Sequence, residues 1–320
     1  MAGQVKLHAT NDFRDALLAA AKEARLDERF VEKDYYMTEV LRIIVDTQPS
    51  RAIFKGGTSL SKGWQLIDRF SEDIDLFIDP EVKPALSKRG VDRDLRKLRD
   101  AVAGHPAFAY IEDEGRTIGG LGREDYFNYN SLFDEMPGLR SVILLEPGIQ
   151  SGRQPTEDVQ ISSIVGDFLR RHGDGDLADD LEPFQMTLLH FRRTFVEKLF
   201  TVHGQVERLK AEAYPLGRDA RHYADLHALA AQPEVDQMLR CEEYGEIKLD
   251  YDERSQRFFS RSYRPPKGLS FRDSEALLLP QPLRAQIEPD YDAECQRLFP
   301  GAYPSLDDVV EKLESIRELL

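Results

Sequence analysis

Two aspartates alternate along a short apolar segment, and they are the residues with the clearest chemical meaning. Asp73 and Asp75 flank Ile74 in the phrase Asp-Ile-Asp-Leu-Phe-Ile. Successive side chains of a strand point to opposite faces, so in a strand predicted over residues 71–78 both carboxylates would share one face. Two carboxylates on one face suit Mg²⁺, which binds one or two of them and completes its shell with water and substrate phosphate.

A glycine-containing turn precedes this segment. Gly56, Gly57, Thr58 and Ser59 follow an apolar run at residues 52–54, which predicts another strand. Glycines let the backbone approach a phosphate, and a helix start offers N–H groups and hydroxyls to phosphate oxygens. A phosphate-binding turn with a metal site predicts phosphoryl or nucleotidyl transfer. The alternative is a tight turn beside a solvated acidic edge strand.

The residues of these motifs resemble those of a known family. Gly-Gly-Thr-Ser followed by Asp-Ile-Asp-Leu resembles the signature of the DNA polymerase β-like nucleotidyltransferases. The longer phrases Phe-Lys-Gly-Gly-Thr-Ser-Leu-Ser-Lys and Arg-Phe-Ser-Glu-Asp-Ile-Asp-Leu resemble the AbiEii/AbiGii toxins within that group. The resemblance implies an α+β fold, in which a mixed sheet flanked by helices is followed by a mainly helical C-terminal domain. It also implies that Lys55, Gly56, Gly57, Thr58 and Ser59 bind the nucleotide.

A third carboxylate ends the next clear strand. Residues 140–146 read Arg-Ser-Val-Ile-Leu-Leu-Glu, and Pro147-Gly148 would end the strand. The polymerase β-like fold uses a third carboxylate on a neighbouring strand, so the resemblance implies Glu146 as a metal ligand beside Asp73 and Asp75. The alternative is the exposed first residue of a loop.

Two phrases of the C-terminal half have helical spacing and also resemble the AbiEii family. They are Arg-Thr-Phe-Val-Glu-Lys and Arg-His-Tyr-Ala-Asp-Leu. In that family a lysine of the first phrase and an aspartate of the second join the active site, which implies Lys198 and Asp225 here. Lys198 would balance triphosphate charge, Asp225 would orient Lys198 or Arg221, and Arg193 and Arg221 would contact nucleotide. Without the resemblance, an ordinary ion pair between helices is favoured.

Each of two charged stretches of the sequence has two possible interpretations. Glu32, Lys33 and Asp34 belong to a phrase that in the AbiEii family precedes the glycine turn, and they either start a solvated helix or support the site. Residues 254–267 interleave five basic residues with three aromatic ones. This pattern suits single-stranded nucleic acid, but it also fits a loop whose arginines balance nearby acids.

Hydrophobic spacing and composition organise the chain. We expect a nucleotidyltransferase domain over residues 1–155 and a mainly helical domain over residues 156–320, with polar connectors at residues 152–158 and 172–180. The predicted helices span residues 12–25, 27–47, 92–102, 193–203, 217–229 and 306–320.

Charge and composition bound the protein class. The 320 residues carry a formal net charge of −15, which argues against nucleic-acid binding by the whole surface. The chain has no membrane-length apolar run, its first residues lack a signal peptide's apolar stretch, and its two cysteines fit a reducing compartment. These features predict a cytoplasmic protein without a membrane partner.

The sequence therefore predicts a metal-dependent nucleotidyltransferase that uses an NTP and Mg²⁺, with Mn²⁺ as a substitute. By resemblance it would be the growth-inhibiting toxin of a bacterial toxin–antitoxin, phage-defence type system, with an AbiEi-like antitoxin. The implied acceptor is RNA, specifically the tRNA 3′ end. The alternatives are an acceptor hydroxyl on a protein or small molecule, or a non-catalytic interaction protein on the same fold.

Overall fold

A mixed β-sheet carries the predicted metal ligands. The computed structural model describes residues 5–134 and 139–320. The strands are β1 (Ala52–Lys55), β2 (Asp73–Ile78), β3 (Phe108–Tyr110), β4 (Arg116–Ile118), β5 (Gly122–Tyr129), β6 (Val142–Gly148), β7 (Thr156–Ile161) and β8 (Phe184–Leu189). These eight strands form one sheet in the order β3-β5-β6-β2-β1-β8-β7, and β4 pairs with β5.

Strand β2 lies inside the sheet, because both of its edges are paired. It runs antiparallel to β1 and parallel to β6. Ile74, Leu76, Phe77 and Ile78 are fully buried. A strand that is buried in this way tolerates a carboxylate only where the carboxylate has a partner or a function. The strand over this segment was predicted, and its position inside the sheet excludes the alternative of a solvated acidic edge.

Two compact units divide the described chain. The first takes in the described parts of Met1–Gly63 and Glu72–Ile149, together with Glu157–Leu188. Its helices are α1 (Phe13–Ala24), α2 (Glu28–Thr47), α3 (Gly56–Thr58), α4 (Lys88–Ala103) and α5 (Ile164–His172). The sheet with these helices confirms the predicted mixed-sheet fold.

The second unit is helical in its described elements. It consists of Trp64–Ser71, Gln150–Thr156 and Leu189–Leu320. Its helices are α6 (Phe191–Glu212), α7 (His222–Ala230), α8 (Pro233–Leu239), α9 (Glu242–Phe259), α10 (Glu275–Leu278), α11 (Gln281–Leu298) and α12 (Leu306–Ser315). Among the described residues, no helix is both long and apolar enough to span a membrane.

The boundary between the two units differs from the predicted domain boundary after residue 155. Residues 157–188 belong to the first unit, because β8 pairs in parallel with β1, where Phe54 lies opposite Leu188. The first four residues of the predicted N-terminal domain lie outside the described residues.

Two segments that we expected to be connecting or helical form strands instead. Strand β7 is polar and largely exposed, so its sequence lacks the apolar alternation of a half-buried strand. Strand β8 is a six-residue run, Phe-Gln-Met-Thr-Leu-Leu, and a run this short does not distinguish a strand from a buried helical turn. Strand β6 also continues through Pro147 and Gly148, where we expected it to end.

Helix α6 begins at a buried histidine that should make stability depend on pH. His190 Nδ1 accepts a hydrogen bond from the Arg192 backbone N–H at 3.3 Å. Burial, and then the Arg192 charge, lower the pKa of His190 from 6.5 to about 4. In this window the unfolded chain binds the proton and the folded protein does not, so stability should fall as the pH falls from 6.5 towards 4.

The variant His190→Asn keeps a capping side chain that does not titrate. On going from about pH 7.5 to about pH 5, the wild type should lose roughly 2–5 °C more in melting temperature than this variant. Equal losses in the two proteins would show that His190 does not titrate in this range.

Candidate active site

One row of side chains crosses three strands of the sheet. Asp75 lies opposite Lys55 in the antiparallel β1–β2 pair and opposite Glu146 in the parallel β2–β6 pair. Residues directly opposite each other in paired strands point to the same face. Asp73 shares this face by alternation along β2. The structure therefore places the three predicted carboxylates on one face, with a lysine beside them.

The two aspartates differ in their surroundings. Asp73 is buried, with 2% of its surface exposed, whereas Asp75 is half-buried. No described residue forms a hydrogen bond or an ion pair with the Asp75 carboxylate. Carboxylate oxygens of this kind fit Mg²⁺. Among the described residues no group of three or more His, Cys, Asp or Glu side chains is placed to hold a metal ion, so Glu146 as a third ligand stays a prediction.

Gly56 lies directly against Asp75. Its φ of +74° is in the left-handed region that favours glycine. A Cβ at this position would lie 2.0 Å from Oδ2 of Asp75 and 2.7 Å from its Cγ. The first glycine of the turn is therefore required for close packing against the carboxylate, a reason that the sequence motif alone did not reveal.

The hydroxyls of the turn have partners within the protein. Thr58 donates its hydroxyl to the backbone carbonyl of Asp73, and Ser59 Oγ donates to the Gly56 carbonyl at 2.9 Å. Both residues are buried, with 3% and 0% of their surfaces exposed. Thr58 attaches the turn to the start of β2, and Ser59 holds the turn together internally, so the structure does not support either side chain as a direct phosphate ligand.

Lys55 is the cation nearest to Asp75 in the strand pairing. Its side chain is half-buried, and within the described part of the chain no group forms a hydrogen bond or an ion pair with its ammonium. A lysine next to a carboxylate pair can bind a phosphate oxygen as a point charge. This placement is compatible with the predicted nucleotide-binding role of Lys55.

Two charged residues near the start of α2 form ion pairs next to the aspartate pair and next to the glycine turn. Lys33 is 1% exposed and lies 3.4 Å from the Glu72 carboxylate, which immediately precedes Asp73. Asp34 pairs with Lys62 at 2.6 Å, in the segment that follows the glycine turn. Of the two interpretations of this phrase, the solvated helix start is excluded, because these side chains hold the segments on either side of the site.

A buried ion cluster lies in the second unit. Asp225 is fully buried, and its Oδ2 is 2.7 Å from Nζ of Lys198 on α6. Arg69 donates from Nε and Nη2 to the same carboxylate at 2.7 and 2.8 Å. Nζ of Lys198 also lies 2.9 Å from Nδ1 of His222. The Lys198–Asp225 ion pair fits both an oriented active-site lysine and an ordinary ion pair between helices, and Arg69 is a partner that sequence reasoning missed.

Burial and charge set the protonation of this cluster. Burial lowers the pKa of Lys198, Asp225 opposes this change, and the positive charges of Arg69 and Arg221 add to it. Burial would raise the pKa of Asp225, but Arg69 and Lys198 outweigh it and hold the pKa well below 3.8. Burial and then Lys198 lower the pKa of His222, so its imidazole is neutral at pH 7. Asp225 remains an anion between two cations.

The structure corrects the role expected for Arg193. Its guanidinium donates to Glu197 at 2.8 Å, to the Gln154 carbonyl at 2.8 Å and to Asp250 at 2.6 Å. Only 1% of Arg193 is exposed. These contacts make it a structural residue that joins α6 to α9, and they do not support direct nucleotide contact. Arg221 is buried and its charge contributes to the lowered pKa of Lys198, while its predicted contact with nucleotide stays a prediction.

Comparison with known proteins identifies a family. A family model described as "Nucleotidyl transferase AbiEii toxin, Type IV TA system" matches residues 40–312. The match includes the glycine turn, the aspartate pair on β2 and the Lys198–Asp225 cluster. No curated protein matches the chain.

Proposed function

The chain belongs to the AbiEii nucleotidyltransferase toxin family, and from this premise we propose that it transfers a nucleotide from an NTP to an RNA acceptor, the tRNA 3′ end. The family makes it a nucleotidyltransferase toxin with an antitoxin counterpart; an AbiEi-like antitoxin is part of the proposal. The observation that carries the reaction is the Asp73–Asp75 face of β2, with Gly56 packed against Asp75.

Each residue of the β2 face has a role in this proposal. Asp73 and Asp75 would hold Mg²⁺, or Mn²⁺ in its place, with Glu146 as a third ligand. When bound, the metal activates an acceptor hydroxyl and stabilises the leaving pyrophosphate. Lys55 would bind the triphosphate as a point charge. The protein then contributes positioning and electrostatic stabilisation, as in other phosphoryl transfers.

The reaction replaces a phosphoanhydride bond of the NTP with a phosphodiester bond to the acceptor. The acceptor hydroxyl attacks the α-phosphorus, its oxygen forms the new bond, and the bond between the α- and β-phosphates breaks. Pyrophosphate leaves and the hydroxyl proton passes to solvent. Lys198 would balance charge on the triphosphate, as the family resemblance implies, while Asp225, which Arg69 also contacts, orients that lysine.

The acceptor is the part of the proposal that needs a direct test. Purified protein is incubated with Mg²⁺, total cellular RNA and each α-labelled NTP in turn. We expect label in a tRNA-sized product that ribonuclease removes, and the labelled NTP identifies the nucleotide. Label that survives ribonuclease and migrates with protein would indicate a protein hydroxyl, and label in a small product would indicate a small-molecule acceptor. Either result would contradict an RNA acceptor.

Gly56→Ala should damage the site without any change of charge. The added Cβ would overlap the Asp75 carboxylate and force a non-glycine residue to adopt a φ of +74°. Such backbone strain costs about 1–3 kcal/mol, and displacement of a reacting group by roughly 1 Å can reduce the rate about 100-fold. We expect at least that loss in label transfer.

Gly245→Ala is the matched control, because a Cβ at Gly245 in α9 would meet nothing within 4 Å. This variant should retain full activity and should not melt below the wild type. Wild-type activity in Gly56→Ala would show that the contact between the turn and Asp75 does not matter to the reaction.

A further inference from the structure

A cavity in the second unit is lined by the arginines and aromatic rings at the end of α9. Its volume is about 440 Å³, within the range of about 300–1,000 Å³ typical of small-ligand sites. Phe259, Tyr263 and Arg264 contribute to its wall from residues 254–267, and Phe200 and Arg208 contribute from α6. Two of the five basic residues and two of the three aromatic residues of that sequence stretch therefore line one cavity.

The aromatic part of the wall is held in place. The rings of Phe200 and Tyr251 stack with their centroids 4.7 Å apart, and the Tyr263 ring lies 6.1 and 6.2 Å from them. The Tyr263 hydroxyl donates to Asp252 at 2.8 Å, which fixes the orientation of its ring. Phe259 is half-buried at the same wall. Fixed rings around a cavity favour a flat ligand that can stack on them.

The charged part of the wall has an excess of positive charge. Glu212 accepts hydrogen bonds from Arg208 at 3.1 Å and from Arg264 at 3.0 Å. Arg261 also lines the cavity and is exposed to solvent. The cavity wall thus contains three arginines and one glutamate, on a chain whose formal net charge is −15. This local positive charge would attract a phosphate group.

We propose that this cavity binds one unpaired nucleotide of a single-stranded RNA. The base would stack on the ring wall at Phe259 and Tyr263, and its phosphate would contact Arg261 and Arg264. A base with its phosphate uses both features of the cavity, whereas an acidic peptide would use the arginines only. The inference extends the proposed function, in which RNA is the acceptor, but binding here requires neither NTP nor metal.

The test measures binding of a fluorescently labelled single-stranded RNA of about ten nucleotides by anisotropy, without NTP or Mg²⁺. Phe259→Ala should weaken binding by about 5- to 100-fold, which is the usual cost of one lost base stack. Phe258→Ala is the matched control, because Phe258 is an adjacent, half-buried ring that does not line the cavity. It should bind within about twofold of the wild type.

A second pair of variants tests the phosphate contact. Arg261→Ala should weaken binding and lower the slope of log affinity against log salt by about 0.7, the value for one phosphate contact to a single strand. Arg257→Ala removes the same charge from α9 outside the cavity, and its salt slope should stay close to that of the wild type. Melting temperatures of all four variants show whether each is folded.

Several results would overturn the inference. One is an equal loss of RNA affinity in Phe258→Ala and Phe259→Ala, and another is no RNA binding by the wild type. A third is that polyglutamate displaces the RNA and that binding is weakened by the arginine variant but not by Phe259→Ala. Free nucleoside monophosphates form a further arm: if they bind as tightly as RNA, the ligand is a free nucleotide rather than a strand.

Comparison of label transfer with RNA binding separates this inference from the proposed reaction. Phe259 lines the cavity in the second unit, and the binding assay contains neither NTP nor Mg²⁺, so it reports on RNA binding without the reaction. If the wild type transfers label to RNA while Phe259→Ala binds RNA normally, the cavity inference fails and the proposed function stands. If no transfer occurs but RNA binding depends on Phe259, the reverse holds.

Discussion

Asp75→Asn should abolish nucleotidyl transfer and toxicity while leaving the protein folded. The change removes a negative charge from the face of β2 where the metal and the triphosphate are proposed to bind. Loss of electrostatic stabilisation at a reacting phosphate typically costs about 10²–10³ in rate for one hydrogen-bond donor, and a metal ligand supplies more. We expect a decrease of about 10³-fold or more in label transfer.

Stability should change little, because no described residue depends on the Asp75 carboxylate for a hydrogen bond or an ion pair. The melting temperature should stay within about 2 °C of the wild-type value. Asp113→Asn makes the same change at an exposed turn and should retain both transfer and toxicity. Full toxicity of folded Asp75→Asn would favour the non-catalytic interaction protein over an enzyme.

Asp225→Asn should be the most destabilising of the substitutions. Asp225 is fully buried and is the anion that pairs with both Arg69 and Lys198. Its replacement leaves two buried cations without a counter-charge, and breaking a buried ion pair costs about 3–5 kcal/mol. For a chain of this size we expect a decrease of roughly 10 °C in melting temperature.

The matched control is a surface pair of the same type. Asp236 contacts Arg240 at 2.9 Å, and both side chains are largely exposed, so Asp236→Asn should cost less than about 1 kcal/mol. Adding Arg69→Gln to Asp225→Asn should cost less than the sum of the two single changes, because the double variant contains one unpaired cation fewer. Additive losses would show that the cluster is not energetically coupled.

The local part of the candidate site could be predicted from the sequence. Asp73 and Asp75 alternate in an apolar run, and this alternation is enough to place them on one face of a strand. The helical spacing of the segment that contains Lys198 likewise predicts helix α6. Such features depend on neighbours within a few residues, which the sequence contains directly.

The non-local part could not be predicted. Arg69 lies within the quoted Arg-Phe-Ser-Glu-Asp-Ile-Asp-Leu phrase, but its partner Asp225 is 156 residues away, and no periodicity reports such a pairing. Arg193 was predicted to contact nucleotide, because the sequence does not show which groups an arginine on a helix will contact. In the structure its guanidinium contacts Glu197 and Asp250. Strand β8 was missed because its pairing with β1 is visible only in the folded sheet.

The most direct test of the central claim compares the fate of two phosphates of the same NTP. Wild-type protein and Asp75→Asn are incubated with Mg²⁺, RNA and an NTP labelled at either the α- or the γ-phosphate. Nucleotidyl transfer predicts that the α-label enters the acceptor and the γ-label appears in pyrophosphate, with wild type only. Entry of the γ-label into the acceptor would identify a kinase instead. Equal α-labelling by Asp75→Asn would contradict the role assigned to the β2 carboxylates.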